Sequence, residues 1–115
     1  MTSKRASRLP VVYASAARSE LEEIWEWNDQ SFGRQHAANY VDFLIKHIER
    51  LGRDHQTGRS ISARPELRYL PIKFKSGGHY HVAVYSVGER AVNILHIFHT
   101  AQDWQAKLTA EKPVD

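Results

Sequence analysis

Two periodicities divide this chain. Residues 11–13, Val-Val-Tyr, predict a short strand, and Ser15 stands where a helix N-cap belongs, its hydroxyl able to accept an orphan amide hydrogen. Over residues 16–30 the spacing is helical. Ala17, Leu21, Ile24 and Asn28 share one face with Trp25 beside it, and Glu20, Glu22, Glu23 and Glu26 gather early, toward the positive end of the helix dipole. Gly33 interrupts the pattern. A longer helix is predicted over 34–53, where Ala37, Val41, Leu44, Ile48 and Leu51 step by four and three, flanked by Tyr40 and Ile45. Asn39, Asp42, Lys46, Glu49 and Arg53 take the other side. Two amphipathic helices joined by so short a break predict an antiparallel hairpin.

The helical period ends at residue 54. Gly58, Ser60, Ser62 and Pro65 mark residues 54–66 as a loop, long enough to be functional or mobile. The period then becomes two. Over 67–75, Leu70, Ile72 and Phe74 alternate with Lys73 and Lys75, and Pro71, which has no amide hydrogen, predicts an edge or a bulge. Gly77-Gly78 reads as a hairpin turn. Over 79–87, Tyr80, Val82 and Val84 alternate with His81, Ala83 and Tyr85. Gly88-Glu89-Arg90 turns the chain again. Over 91–99, Val92, Ile94 and Phe98 oppose Leu95 and Ile97, and apolar side chains on both faces predict a central strand. Residues 101–108 add a short helix. Helices followed by strands imply α+β. The expected architecture is one domain over residues 1–115, frayed at 1–9 and 110–115. The hairpin covers one face of an antiparallel sheet, and the other face is a concave surface carrying the histidines, Tyr85 and the basic residues.

Composition narrows the function classes. The 115 residues are 42% hydrophobic and 25% charged, ordinary for a globular domain and unlike a disordered or collagenous chain. No run approaches the roughly 20 apolar residues of a membrane helix. The cation-bearing N-terminus is followed by no apolar stretch, so no secretory signal is read there. The absence of cysteine excludes disulfides, thiol nucleophiles and iron–sulfur clusters, and together these features lead to an expectation of a cytoplasmic protein. Sixteen basic and thirteen acidic residues give a net charge of +3. Residues 1–57 balance, so the excess lies beyond them, where Arg59, Arg64, Arg68, Lys73 and Lys75 face only Glu66 before His79 and His81. Such a patch suits an anionic partner, or protects a strand edge.

Two sets of residues carry candidate chemistry. His79 and His81 lie on one strand face, but a metal site needs a third or fourth ligand, and His96 and His99 fall on opposite faces of their own strand. No metal and no cofactor is expected. His99, Tyr85, Arg68 and His81, with Lys73, supply the types needed for metal-free RNA cleavage: groups to remove and return protons, and cations to stabilise a phosphorane. Phosphate loops, serine elbows and metalloprotease helices are missing. Trp25 and Trp27 cannot both face the core, so at least one is expected to be partly exposed and available to a protein partner.

Several stretches resemble a known family. They are Ala16-Ala17-Arg18-Ser19-Glu20-Leu21-Glu22-Glu23-Ile24-Trp25, Phe32-Gly33, Ala37-Ala38-Asn39-Tyr40, Gly58-Arg59, Leu67-Arg68-Tyr69-Leu70-Pro71, and Val92 to His99 followed by Asp103-Trp104. In this order and spacing they resemble the ParE toxins of the ParE/RelE superfamily. Gln102 departs from the arginine many relatives carry before the Asp-Trp pair, and Ser86 from the arginine common after the tyrosine. The resemblance implies a RelE-like fold and the toxin of a type II toxin–antitoxin, or plasmid-stabilisation, pair. It implies inhibition of DNA gyrase by binding, with His99, Gln102, Asp103 and Trp104 contacting the target and no catalytic residue. It also implies a ParD-like ribbon-helix-helix antitoxin, through which alone operator DNA is engaged. That antitoxin is expected to lay an amphipathic helix on the hairpin near Trp25 and Tyr40, to add a strand at the sheet edge, and to neutralise Arg64, Arg68, Lys73 and Lys75 with acidic residues. The alternative within the superfamily is a ribosome-dependent messenger RNA endonuclease using the histidine–tyrosine–arginine set.

Overall fold

The computed structural model describes residues 8–74 and 80–110. Strand β1 (Val11–Tyr13) leads directly into helix α1 (Ser15–Phe32), and α2 (Arg34–Glu49) runs on into a 3-10 turn at Arg50–Gly52. Strands β2 (Arg59–Ser60), β3 (Arg68–Ile72), β4 (His81–Val87) and β5 (Val92–His99) follow, then α3 (Trp104–Ala110). The sheet order is β1-β5-β4-β3-β2. All pairs are antiparallel except β1 with β5, so the sheet is mixed rather than antiparallel throughout. The overall class is α+β with a helical hairpin on one sheet face, as the periodicities and the resemblance predict.

Local physics explains the elements and their small departures from expectation. Ala14, not Ser15, occupies the N-cap of α1, and no side chain caps it. The first turn also holds no acid, because Glu20 lies more than a turn inside. Gly33 joins the helices at φ 97°, a conformation that side chains with a Cβ rarely adopt. The buried stripe of α2 is Ala37, Tyr40, Leu44 and Ile48, so Tyr40 rather than Val41 faces the core. The predicted loop contains the two-residue β2, which pairs Arg59 with Tyr69 and Ser60 with Arg68. Pro71 lies beyond the reach of β2, on a free stretch of edge where a missing amide hydrogen leaves no broken ladder. The predicted Gly77-Gly78 hairpin, with His79 and Lys75, lies outside the described residues.

The sheet is covered on both faces, and this corrects the expected open surface. The hairpin packs on Ile72, Ala83, Tyr85, Val92, Ile94 and Ile97. The opposite face is closed by Ile61, Leu67, Val82, Val84, Phe98, Trp104 and Leu108, drawn from the 61–67 segment, the sheet and α3. Tyr85 and His81 therefore lie on the helix-covered face. The alternation on β4 is as predicted, but the hairpin covers the face carrying the histidine and tyrosine. The valine face is covered by α3 instead.

One irregularity re-aims β5. Val84 pairs with His96 but Tyr85 pairs with Ile94, so Leu95 is an extra residue on β5. Strict alternation sets Ile94 and Ile97 on opposite faces. The bulge instead brings both into the hairpin core and sends Phe98 to the other side.

Candidate functional site

The same bulge builds the site. Beyond Leu95 the strand's facing is reversed, which places His99 directly opposite His81 in the β4–β5 register. Their rings meet edge to face, 4.9 Å between centroids. Above them Tyr40, from α2, shares a short 2.5 Å hydrogen bond with His81 Nδ1. A chain of rings continues outward from Tyr40 through His36 and Phe32 to Trp27, each in contact with the next. Phe74 packs edge-on to Tyr40 at 5.2 Å. These rings line a groove of about 790 Å³ between α1, the start of α2 and the end of β5, with Glu20, Glu23, Gln102 and Lys107 at its margins. Trp27 and Phe32 are each 61% exposed, unusual for side chains of their size.

The histidine pair is poorly suited to proton transfer. Burial, reinforced by the neighbouring His99, lowers the His81 pKa to about 4, so its ring is neutral at pH 7. Burial also pushes the Tyr40 hydroxyl up to about 12, and that hydroxyl keeps its proton. With both groups neutral, the hydroxyl is assigned as the donor to Nδ1, leaving the ring proton of His81 on Nε2. His99 Nδ1 accepts the Ala101 amide hydrogen at 2.9 Å. That nitrogen is therefore engaged inside the chain as an acceptor. Both Nδ1 atoms are thus engaged within the chain, so neither is open there to take a proton from a substrate.

The remaining members of the predicted nuclease set are elsewhere. Arg68 and Tyr85 are register partners on β3 and β4. Tyr85 lies four residues from His81 along β4, roughly 13 Å at strand rise. Tyr85 is fully buried, and its hydroxyl donates to the His55 carbonyl at 3.0 Å while accepting the Gly58 amide hydrogen at 2.8 Å. Arg68 donates to the Gly58 carbonyl at 2.8 Å. Burial raises the Tyr85 pKa and outweighs the lowering by the Gly58 amide and by Arg68. A Cβ at Gly58 would collide with the Tyr85 hydroxyl, which explains the glycine there. These two residues pin the 55–58 loop to the sheet. They do not join His81 and His99 in one site.

The four residues assigned to target contact divide similarly. His99 and Gln102 line the groove. Asp103 accepts the Ala106 amide hydrogen through Oδ1 at 3.3 Å at the start of α3. Trp104 is only 9% exposed, against Tyr69 at 5.0 Å and beside Phe98. The last pair holds α3 in place.

The residues assigned to the antitoxin are scattered. Tyr40 forms part of the groove, whereas Trp25 is half-buried and does not line it. Arg64 pairs with Glu66 at 2.7 Å and reaches the Leu108 carbonyl. Lys73 lies over the Tyr80 ring at 5.0 Å. Lys75 is outside the described residues. The sequence reading missed His36 and Phe74 as groove residues and emphasised Trp25 over Trp27. Phe32, Gly33 and His36 sit at the helix junction, where a side chain's direction depends on the turn and not on helical spacing. Among the described residues no group of three or more His, Asp or Glu is placed to hold a metal ion. Nor is any described helix long and apolar enough to cross a membrane.

Comparison with known proteins places this arrangement. The family model described as the ParE toxin of the type II toxin–antitoxin system parDE matches residues 11–104. A solved structure described as the chromosomal ParDE TA system from P. aeruginosa contains a chain with the same fold, at TM-score 0.63 and 16% identity, covering 79% of this chain and 95% of that one. No curated protein matches.

Proposed function

The chain belongs to the ParE toxin family of type II toxin–antitoxin systems, and from that premise we propose that it acts on DNA gyrase as a binding poison, without cutting nucleic acid, until a ParD-like antitoxin neutralises it. The observation that carries the choice of binding over cleavage is the division of the acid–base set. His81 and His99 sit at one end of β4, and Arg68 and Tyr85 are committed to a loop at the other. Gyrase as the target rests on the family resemblance. The target end is His99 and Gln102 with the exposed rings of Trp27 and Phe32. A partner engaging rings of this size at the centre of an interface gains most of its affinity from them. The antitoxin, a ribbon-helix-helix protein that alone contacts operator DNA, covers the same groove. Poisoning and neutralisation are then mutually exclusive.

The test is a gyrase supercoiling assay with purified protein. Inhibition that the protein encoded by the neighbouring reading frame relieves is the expected result. Unchanged supercoiling at saturating protein, together with ribosome-dependent messenger cleavage that His99→Ala abolishes, would replace this reading with the nuclease one.

A further inference from the structure

Helix α2 ends in a second concave surface, at the far end of the hairpin from the aromatic groove. Arg50 and Arg53 are three residues apart across the 3-10 turn that closes the helix, so their side chains stand on one side of it. The N-terminal segment crosses this turn. Leu9 N–H donates to the Gly52 carbonyl at 2.7 Å, and the Pro10 carbonyl accepts the Val92 amide hydrogen at 2.9 Å. A Cβ at Gly52 would lie 2.5 Å from the Leu9 carbonyl oxygen, so glycine is what lets the two backbones come this close. The approach sets Arg8 on the same cleft as Arg50 and Arg53, a space of about 640 Å³. Half-buried Leu9, Val11 and Ile45 form its floor.

The three arginines are exposed, and none has an ion pair among the described residues. Two other charges of the cleft are already engaged. Lys46 lies 3.4 Å from Asp42, and Glu49 accepts the Tyr13 hydroxyl hydrogen at 2.8 Å. Asp54 remains as one carboxylate against three guanidinium groups. The dipole of α2 favours cations at its C-terminal end, but Arg8 is brought there by a separate segment, in which Lys4 and Arg5 precede it. The aromatic groove has the opposite character. Glu23 lines it, and Glu22 and Glu26 are exposed on the same helix. From His36 in the groove to Arg50 is roughly 20 Å at the helical rise. The molecule is thus acidic where its large rings are exposed and basic at the other end of the hairpin.

We propose that this cleft is a second binding site, for the phosphate backbone of duplex DNA, and that Arg8, Arg50 and Arg53 hold the DNA carried by the protein that the groove engages. Which DNA is held rests on the gyrase reading above; the site itself rests on the three arginines and the cleft between them. A guanidinium group offers paired N–H donors that match phosphate oxygens, and it stays charged across the working pH range. The glutamates of α1 repel a polyanion from the groove and direct it to the opposite end. Contacts of this kind read no sequence, so the choice of operator stays with the antitoxin. Two modest contacts made at once on a protein–DNA assembly hold more tightly than either alone.

The experiment measures binding of a short fluorescent DNA duplex of mixed sequence to the full chain by anisotropy over a series of salt concentrations. Wild type is compared with the triple variant Arg8→Gln, Arg50→Gln, Arg53→Gln, and with Arg34→Gln, which removes a charge of the same kind at the exposed start of α2. All these side chains are exposed, so thermal melting should stay close to wild type and show that each variant is folded. Three phosphate contacts predict that log K falls with log salt at a slope of about −3. In the triple variant the slope should approach zero and the affinity at low salt should drop about tenfold or more, whereas Arg34→Gln should stay within about twofold of wild type. The triple variant should also need about tenfold more protein to inhibit gyrase supercoiling. No duplex binding by wild type, an equal loss in Arg34→Gln, or displacement of the duplex by polyglutamate at lower concentration than by unlabelled DNA overturns the DNA site, the last in favour of an acidic protein. Equal inhibition of supercoiling by the triple variant and wild type overturns its part in poisoning. Duplex binding as described with supercoiling untouched by wild type overturns gyrase as the target while the DNA site stands.

Discussion

The two ends of the β4 strand hold similar side chains and use them differently. At the Tyr85 end every polar group named has a partner inside the chain, and a loop lies over it: hydroxyl, guanidinium and glycine backbone close on one another. At the His81 end the histidine is equally buried, yet the rings stacked beyond it lead outward to Trp27 and Phe32 and leave a groove. The difference shows that residue type is a poor guide to role. A tyrosine and an arginine suited to phosphate chemistry serve here as loop fasteners. Two histidines suited to acid–base work have their Nδ1 atoms engaged inside the chain, on the wall of a groove.

Substitutions that disturb one end and spare the other sharpen this contrast. The largest effect is expected from Gly58→Val. The added side chain has no space beside a fully buried Tyr85, and urea denaturation should show a loss of more than about 3 kcal/mol. Next is acid. His81 has a pKa of about 4 in the folded protein against 6.5 for an unperturbed ring, so between those values the unfolded chain binds the extra proton. The stabilisation is complete above pH 6.5 and is lost as pH falls toward 4, by about 3 kcal/mol at most. A series of denaturation curves should show this slope in wild type and not in His81→Gln. Tyr85→Phe leaves the Gly58 amide and the His55 carbonyl without their partner, and a loss of about 2 kcal/mol is expected from the same measurement. The smallest change in stability, within about 0.5 kcal/mol, belongs to Trp27→Ala. The same variant should lose about tenfold or more in affinity for the antitoxin by calorimetry, as expected for a large ring at the centre of an interface. An unstable but fully binding-competent Trp27→Ala would reverse the contrast between the two ends.

Much of this fold was legible in the chain itself. The stripes through Ala17 and Leu21, and through Ala37 and Leu44, located the hairpin. The change to period two located three strands. The apolar residues on both sides of β5 marked it as internal, with β1 and β4 for neighbours. What alternation could not show is the extra residue at Leu95. One unpaired position reverses every facing after it, which is why Ile97 and Phe98 exchange sides and why His99 meets His81. Nor does alternation say which face the hairpin takes when both faces are apolar. The groove depended on that choice and on the direction of side chains around the positive-φ Gly33. The parallel pairing of β1 was equally hidden, since a three-residue strand carries no signal of its partner. The family resemblance supplied what periodicity lacked, membership of a toxin–antitoxin system and with it the expectation of a macromolecular partner, but not the surface that meets it.

The claim that this chain binds rather than cuts is tested most directly by one paired assay on wild type, His99→Ala and Tyr85→Phe, each at a temperature where it is folded. Gyrase supercoiling and cleavage of ribosome-bound messenger are followed in parallel. The account predicts that wild type inhibits supercoiling, that His99→Ala weakens the inhibition, that Tyr85→Phe retains it, and that no variant cuts the messenger. Messenger cleavage by wild type, lost equally in His99→Ala and Tyr85→Phe while supercoiling is untouched, would show the two ends of the strand working as one catalytic site and would contradict the account.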